Sequence, residues 1–271
     1  VYRLLPGHCF LHRDGHTQFA SYHAFSFAPE NMPLEQRAEQ IRAVVAESVK
    51  AHQISDVEVG SFLSGGIDSS VIAALSRPDK TYSVGFANKD FDETGEAKAL
   101  CRELGLRNIS KTISAEEFFD ALPAIQYYAD EPNANLSTVP LYFLSQLAAQ
   151  DVKVVLSGEG ADELFGGYIT YHTTKPYRMY RKAPLALRKA VATAVAGLPR
   201  FHGQGFLTKA AKPINETFVG QAFIFDNDEA ERVLTPAYRS PLTWHDVTEP
   251  YFEDIEGADD LTKMQYLDLH L

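Results

Sequence analysis

The chain is poor in sulfur and in tryptophan: 271 residues hold two cysteines, three methionines and one Trp. Cys9 and Cys101 make neither a disulfide framework nor a metal spacing, and a reduced, cytoplasmic setting is the expectation. No apolar run approaches the roughly 18 residues of a membrane span, so no membrane partner is expected. No signal peptide is visible, and the sequence opens Val1-Tyr2-Arg3 without a starting Met, so a piece of a longer chain is expected. Positive charge is also scarce. Lys and Arg number 25 against 36 Asp and Glu, a net charge of −11, which argues against a nucleic-acid partner held by clustered cations. His8, His12, His16 and His23 have no Cys or carboxylate at ligand spacing, so no metal is expected there. Repeats and low-complexity tracts are absent.

What remains is a globular composition, 45% hydrophobic and 23% charged. Residues 1–28 read as short strands with a hairpin signal at Asp14-Gly15, too little to be stable alone. A helix is expected from Pro33 to about Gln53, with Ile41, Val44, Val45, Ser48 and Val49 on one face. Strands are expected at Val57–Leu63, Thr81–Phe86, Asn108–Ile113 and Val152–Leu156. Helices intervene at Ser69–Leu75, at Glu93–Leu104 closed by Gly105, after a Ser114/Glu117 capping box, and at Val139–Gln150. Strands alternating with helices of this length predict an α/β fold with a doubly wound parallel sheet. Beyond Gly167 the strand signal fades. Ile169–Ala196 and most of Glu216–Leu271 read as helices with Pro and Gly breaks. Tyr171, Tyr177, Met179 and Tyr180 are expected to pack.

The first chemical stretch is Ser64-Gly65-Gly66-Ile67-Asp68-Ser69-Ser70, between an apolar strand and Val71-Ile72-Ala73. A strand feeding a glycine turn that opens a helix is an anion cradle. The glycines admit close backbone approach, and hydroxyls and first-turn N–H groups donate to phosphate oxygens. Asp68 would repel phosphate unless a divalent cation stands between them. The Lys and length of a Walker A loop are missing, as is dinucleotide-fingerprint spacing.

The second stretch, Ser157-Gly158-Glu159-Gly160-Ala161-Asp162-Glu163-Leu164-Phe165-Gly166-Gly167-Tyr168, follows the fourth strand. In doubly wound sheets ligands lie beyond the carboxyl ends of strands, so both loops are expected to face one crevice. Asp68 and Asp162 would then serve Mg²⁺, and Glu159 the acid being activated or an incoming nucleophile.

Ser-Gly-Gly-X-Asp-Ser resembles the loop of ATP-pyrophosphatases. The second stretch narrows the resemblance to the synthetase domain of glutamine-dependent asparagine synthetases. Ser83-Val84-Gly85-Phe86, Asp130-Glu131-Pro132, Ser137-Thr138-Val139-Pro140-Leu141-Tyr142 and Leu5-Pro6-Gly7-His8 match the same family. The resemblance implies an adenine nucleotide alpha hydrolase-like fold with added helices, spanning 33–271. Residues 1–28 would be the tail of a preceding glutaminase domain. It implies ATP and Mg²⁺ as cofactors, with aspartate and ammonia from glutamine as substrates, and it leaves room for a homodimer. The implied adenine and ribose contacts are Leu63 and Val84. Phosphate contacts would be Ser64, Gly65, Gly66, Ser69 and Ser70, closed by Ser157 and Gly158. Metal carboxylates would be Asp68 and Asp162, and the acid linked to β-aspartyl-AMP would be Glu159.

The chain departs from the family by lacking an N-terminal Cys nucleophile and an Arg-Val-Pro-Phe-Leu-Asp stretch, which implies cuts at both ends. A β-lactam synthetase-like adenylation of another carboxylate stays open, as does a nucleotide-binding module without turnover. A tRNA-modifying relative is disfavoured by the acidic charge.

Overall fold

A computed structural model describes residues 4–28, 30–130, 134–199, 201–221, 225 and 227–271. Two compact units emerge, residues 30–161 and residues 1–29 with 162–271. Of the resembling segments, Glu131 and Pro132 lie outside the described residues. Among the described residues no helix is long and apolar enough to cross a membrane.

Two strands, β1 (His8–Arg13) and β2 (His16–Ser21), belong to the second unit. The 30–161 unit opens with α1 (Leu34–His52) and continues through β3 (Val59–Phe62), α2 (Ile67–Ser76), β4 (Lys80–Phe86) and α3 (Thr94–Leu104). It ends with β5 (Arg107–Ile113), α4 (Ala115–Ala129), α5 (Thr138–Ala148) and β6 (Val154–Leu156). The parallel sheet has the order β5-β4-β3-β6, so the chain runs outward from β3 to β5 and returns to the far side of β3.

Alternate residues of β4 show which helices cover which face. Thr81 points to α3, its hydroxyl 3.2 Å from Cys101 Sγ, whereas Tyr82 packs with Ala148 and Val152 beside α5. Leu63, Ala73, Ala97 and Cys101 form the α2/α3 core; Ile113, Ala121, Ile125, Val139 and Phe143 form the α4/α5 core. Helices on both faces make this the doubly wound sheet that the strand–helix alternation predicts.

Local signals behave as their chemistry requires. Ser114 and Glu117 form a reciprocal capping box, and Gly105 ends α3 at φ +70°. The expected apolar face of α1 is buried only near its end: Val49 is buried while Val44 is 65% exposed. At 1.5 Å per residue a 19-residue helix is nearly twice the length of the ten-residue α2 it packs on, so its first turns overhang.

At the amino ends of the strands Lys80 Nζ lies 3.4 Å from Glu58 and 3.6 Å from Asp151, and the Tyr82 hydroxyl donates to Asp151 at 3.4 Å. Burial and then the Asp151 charge push the Tyr82 phenol up to about 12.

The second unit holds the hairpin, whose turn residues Asp14 and Gly15 both have positive φ, as a two-residue primed turn needs. Phe10 and Phe19 pair across it and stay exposed. The following segment lies against the end of the chain, Phe25 on His270 and Phe27 on Tyr266. The helices are α6 (Ala161–Phe165), α7 (Lys175–Arg181), α8 (Leu185–Ala196), α9 (Gln204–Ala210), α10 (Asn227–Val233), α11 (Trp244–Asp254) and α12 (Asp260–Asp268). Their core is Tyr171, Phe218, Phe252, Met264 and Leu267. Tyr177 and Tyr180 pack on Phe206 as expected, but Met179 is 72% exposed, because it stands on the outer face of the short α7.

Candidate functional site

The sheet order reverses between β3 and β6, so their carboxyl ends flank the position where ligands of open α/β sheets bind. Leu63, just past β3, is 1% exposed. Its N–H donates to the Tyr82 carbonyl at 2.9 Å, and its own carbonyl accepts the Ser83 hydroxyl at 2.6 Å. The strand end is thereby fixed before the turn begins.

Within the turn, Ser69 Oγ accepts from the Ser64 N–H at 3.2 Å and lies 3.0 Å from Ser64 Oγ, which itself accepts from the Gly66 N–H at 3.1 Å. Gly65 has φ +103°, and a methyl built on it would come within 2.9 Å of the Glu93 carbonyl oxygen. Only glycine fits there. Gly66 is the N-cap of α2, and no side chain caps that helix. Its first-turn donors therefore lack side-chain acceptors, the condition for holding an anion. Asp68 stands exposed in this first turn; Ser69 and Ser70 are half-buried.

The β6 loop closes onto the same helix end. A methyl on Gly158 would come within 2.8 Å of the Ser69 amide nitrogen and 2.9 Å of the Asp68 carbonyl carbon. The two loops thus touch backbone to backbone. Ser157 and Glu159 are exposed, the Glu159 N–H donates to Ser157 Oγ at 3.3 Å, and Gly160 turns the chain at φ +87°. Val84 is half-buried and packs with the Ile113 and Phe143 core.

Asp162 belongs to the other unit. Its carboxylate folds over Gly167, in the space a side chain at 167 would fill, and the Gly167 N–H donates to the Asp162 carbonyl at 2.9 Å. The next residue, Glu163, accepts the Tyr168 hydroxyl on Oε1 at 2.7 Å, and its Oε2 is buried without a partner. Gln265 Nε2 donates to the carbonyls of Glu163 at 2.9 Å and Leu164 at 3.2 Å. Asp268 accepts from the Tyr171 hydroxyl, and from Gln221 at 3.2 Å; burial pushes its carboxyl up. Glu163, Gln265 and Asp268 escape a reading of the sequence. Glu163 is hidden inside a motif whose roles fall on its neighbours, and α12 carries no motif.

Among the described residues no group of three or more His, Cys, Asp and Glu side chains could hold a metal ion. A cation carried in on a phosphate chain needs less, one or two carboxylates with the phosphates supplying the rest. The uncapped α2 turn with exposed Asp68 meets that requirement.

Residues 40–271 match the family model described as asparagine synthase. Along its whole length the chain is 38% identical, over 276 aligned residues, to the glutamine-hydrolyzing asparagine synthetase 1 of Bacillus subtilis, covering 44% of that protein. It is 41% identical over 238 residues to a putative glutamine-hydrolyzing asparagine synthetase of Mycobacterium bovis, covering 86% of this chain and 36% of that one. The chain spans less than half the length of these relatives. The solved glutamine-dependent NAD+ synthetase of Acinetobacter baumannii, in complex with adenosine diphosphate, covers 90% of this chain and 45% of its own. Its 16% identity and TM-score of 0.34 carry no argument.

Proposed function

Because this chain belongs to the asparagine synthase family, we propose that it binds ATP on the α2 turn and activates the side-chain carboxylate of aspartate. The carboxylate attacks the α-phosphorus, forming β-aspartyl-AMP and releasing pyrophosphate. Ammonia then attacks the acyl carbon, and AMP leaves with asparagine as the amide product. In the complete protein ammonia would come from glutamine hydrolysed by a separate domain.

One observation carries this reading: Gly158 rests on the Asp68–Ser69 peptide, so a second glycine loop narrows the mouth of an uncapped helix. In the proposed site the N–H groups of Gly65 and of the first turn of α2 and the hydroxyls of Ser64, Ser69 and Ser70 donate to phosphate oxygens. Gly66, whose N–H is held by Ser64 Oγ, gives the backbone room to approach, and Ser157 and Gly158 close over the phosphates. Val84, half-buried, is proposed to lie beside the nucleoside, whereas Leu63, 1% exposed and bonded through both backbone groups, supports the turn from behind and does not itself line the site. Mg²⁺, when bound with ATP, would neutralise charge on the leaving pyrophosphate; its proposed carboxylates are Asp68, in the first turn of α2, and Asp162, in the first turn of α6. Glu159 is proposed to act on the aspartyl side of the reaction. These parts hold reactants in line and answer developing charge, which is most of what a phosphoryl-activating site must do.

The test is exchange of labelled pyrophosphate into ATP, with and without aspartate, alongside calorimetric ATP binding by the same preparation. Aspartate-dependent exchange supports the proposal. Binding without exchange would make the chain a nucleotide-binding module, and exchange with another carboxylate but not aspartate would reassign the substrate.

A further inference from the structure

The Asp162 turn has a support that the motif itself does not supply. Helix α6 is five residues long, far below the length at which a helix is stable by itself. Its last carbonyls have no partners within the helix. The side chain of Gln265, from the middle of α12, donates one amide nitrogen to two of them, Glu163 O at 2.9 Å and Leu164 O at 3.2 Å. Gly166 turns the chain at φ +70° beside this amide, and a methyl built there would only touch Gln265 Nε2, at 3.7 Å. A second tie lies inside the turn, from Tyr168 to Glu163. The Asp162 carboxylate lies in the fold so held, over Gly167.

We infer that Gln265 is a positioning residue for the Asp162 carboxylate, acting by satisfying the carbonyl end of α6. The inference rests on the reading that Asp162 serves the cation bound with ATP. Gln265 touches neither nucleotide nor cation in this account. It fixes the short helix whose first turn aims Asp162, as outer partners do for the ligands of metal sites, where their loss typically weakens metal affinity about 10–100-fold.

The test uses the 271-residue chain and Mn²⁺ as a paramagnetic substitute for Mg²⁺. Affinity for Mn²⁺ in the presence of ATP is read by electron paramagnetic resonance, and affinity for ATP in EDTA by calorimetry. Gln265→Leu removes the donor at similar volume and is expected to weaken Mn²⁺ binding about tenfold while leaving metal-free ATP binding within about twofold. Should the branched side chain prevent folding, the unbranched Gln265→Met makes the same removal. Tyr266→Phe, which takes a different hydrogen bond from α12, the 3.3 Å bond to Asp254, reports what loosening the helix does on its own and is expected to leave both affinities unchanged. Asp162→Asn separates the two readings. If it weakens Mn²⁺ binding and Gln265→Leu does not, or if Tyr266→Phe does as much as Gln265→Leu, the positioning role is wrong. If Asp162→Asn changes nothing, the reading of Asp162 fails and the inference falls with it, whatever Gln265→Leu does.

Discussion

Gly158 and Asp68 are in backbone contact: a methyl on the first would come 2.9 Å from the carbonyl carbon of the second and 3.0 Å from its Cβ. That contact joins the ends of two parallel strands at the point where the sheet changes direction, and it fixes the gap a phosphate chain would enter.

Gly158→Ala is therefore expected to force apart two stretches of main chain, which cannot swing aside as a side chain would. Overpacking of this kind costs about 1–3 kcal/mol. Gly160→Ala is the comparison, since nothing lies within 4 Å of its added methyl and only the left-handed φ of +87° is strained, worth about 1–2 kcal/mol. Urea unfolding gives both stabilities. ATP affinity should fall for Gly158→Ala much more than for Gly160→Ala, and equal affinities would mean the contact does not shape the site.

Ser83→Ala should destabilise the chain by about 1–3 kcal/mol, because the buried Leu63 carbonyl loses its 2.6 Å donor and Asn108 Nδ2 loses one acceptor. Thermal unfolding measures it. Since this bond secures the strand end before the α2 turn, weaker ATP binding should accompany the loss.

Asp268 bears on stability through pH. Burial raises its carboxyl above the unfolded value, so the folded chain binds its proton more tightly. Its contribution is full below the unfolded pKa and is lost as pH rises through the folded one. Asp268→Asn, which can still accept from Tyr171 and Gln221, should flatten the fall in melting temperature on going from acid toward neutral pH. A wild-type slope retained in the variant would remove Asp268 as its source.

Asp259 works in the opposite sense. Burial pushes its carboxyl up, but the N–H groups of Thr262 and Leu261 and the Thr262 hydroxyl outweigh burial and hold it below the usual range. Its stabilisation is present above the unfolded pKa and lost as pH falls through the folded one. As the N-cap of α12 it should cost about 1 kcal/mol when changed to Ala at neutral pH, and nearly nothing in strong acid. Denaturation at the two pH values decides it.

Glu159→Ala is expected to leave ATP affinity intact and to lower pyrophosphate exchange by roughly 10²–10³, the loss typical of one group acting in the transition state. A tenfold weaker ATP complex with normal exchange at saturation would instead make Glu159 part of nucleotide binding.

What could be read in the sequence was local. Gly105 at a helix end, Ser114 three residues before Glu117, and Asp14-Gly15 between extended runs each state their geometry within a few residues. The strand–helix alternation then suffices for a parallel sheet. The exposure of Val44 was not readable, since periodicity shows that α1 has an apolar face but not how much of a shorter neighbour lies beneath it. The bond from Gln265 to Glu163 was hidden for another reason: its ends are 102 positions apart, and neither residue type is unusual where it stands. Around the candidate site the glycines and serines were legible because the turn demands them. The bonds from Gln265 that hold the end of α6 answer to tertiary structure alone.

The cluster of Lys80 with Glu58 and Asp151 sits at the amino ends of the strands, the end of the sheet away from both glycine loops. Mutational tolerance should therefore be graded along the strand axis. A library selected only for heat resistance would gather its changes around the lysine cluster, and one selected for a different carboxylate substrate would gather them around Gly65 and Gly158. The two sets should combine almost additively, because they are several residues of rigid strand apart and share no partner. For protein engineering, this sheet can be strengthened from one end while its chemistry is rewritten from the other.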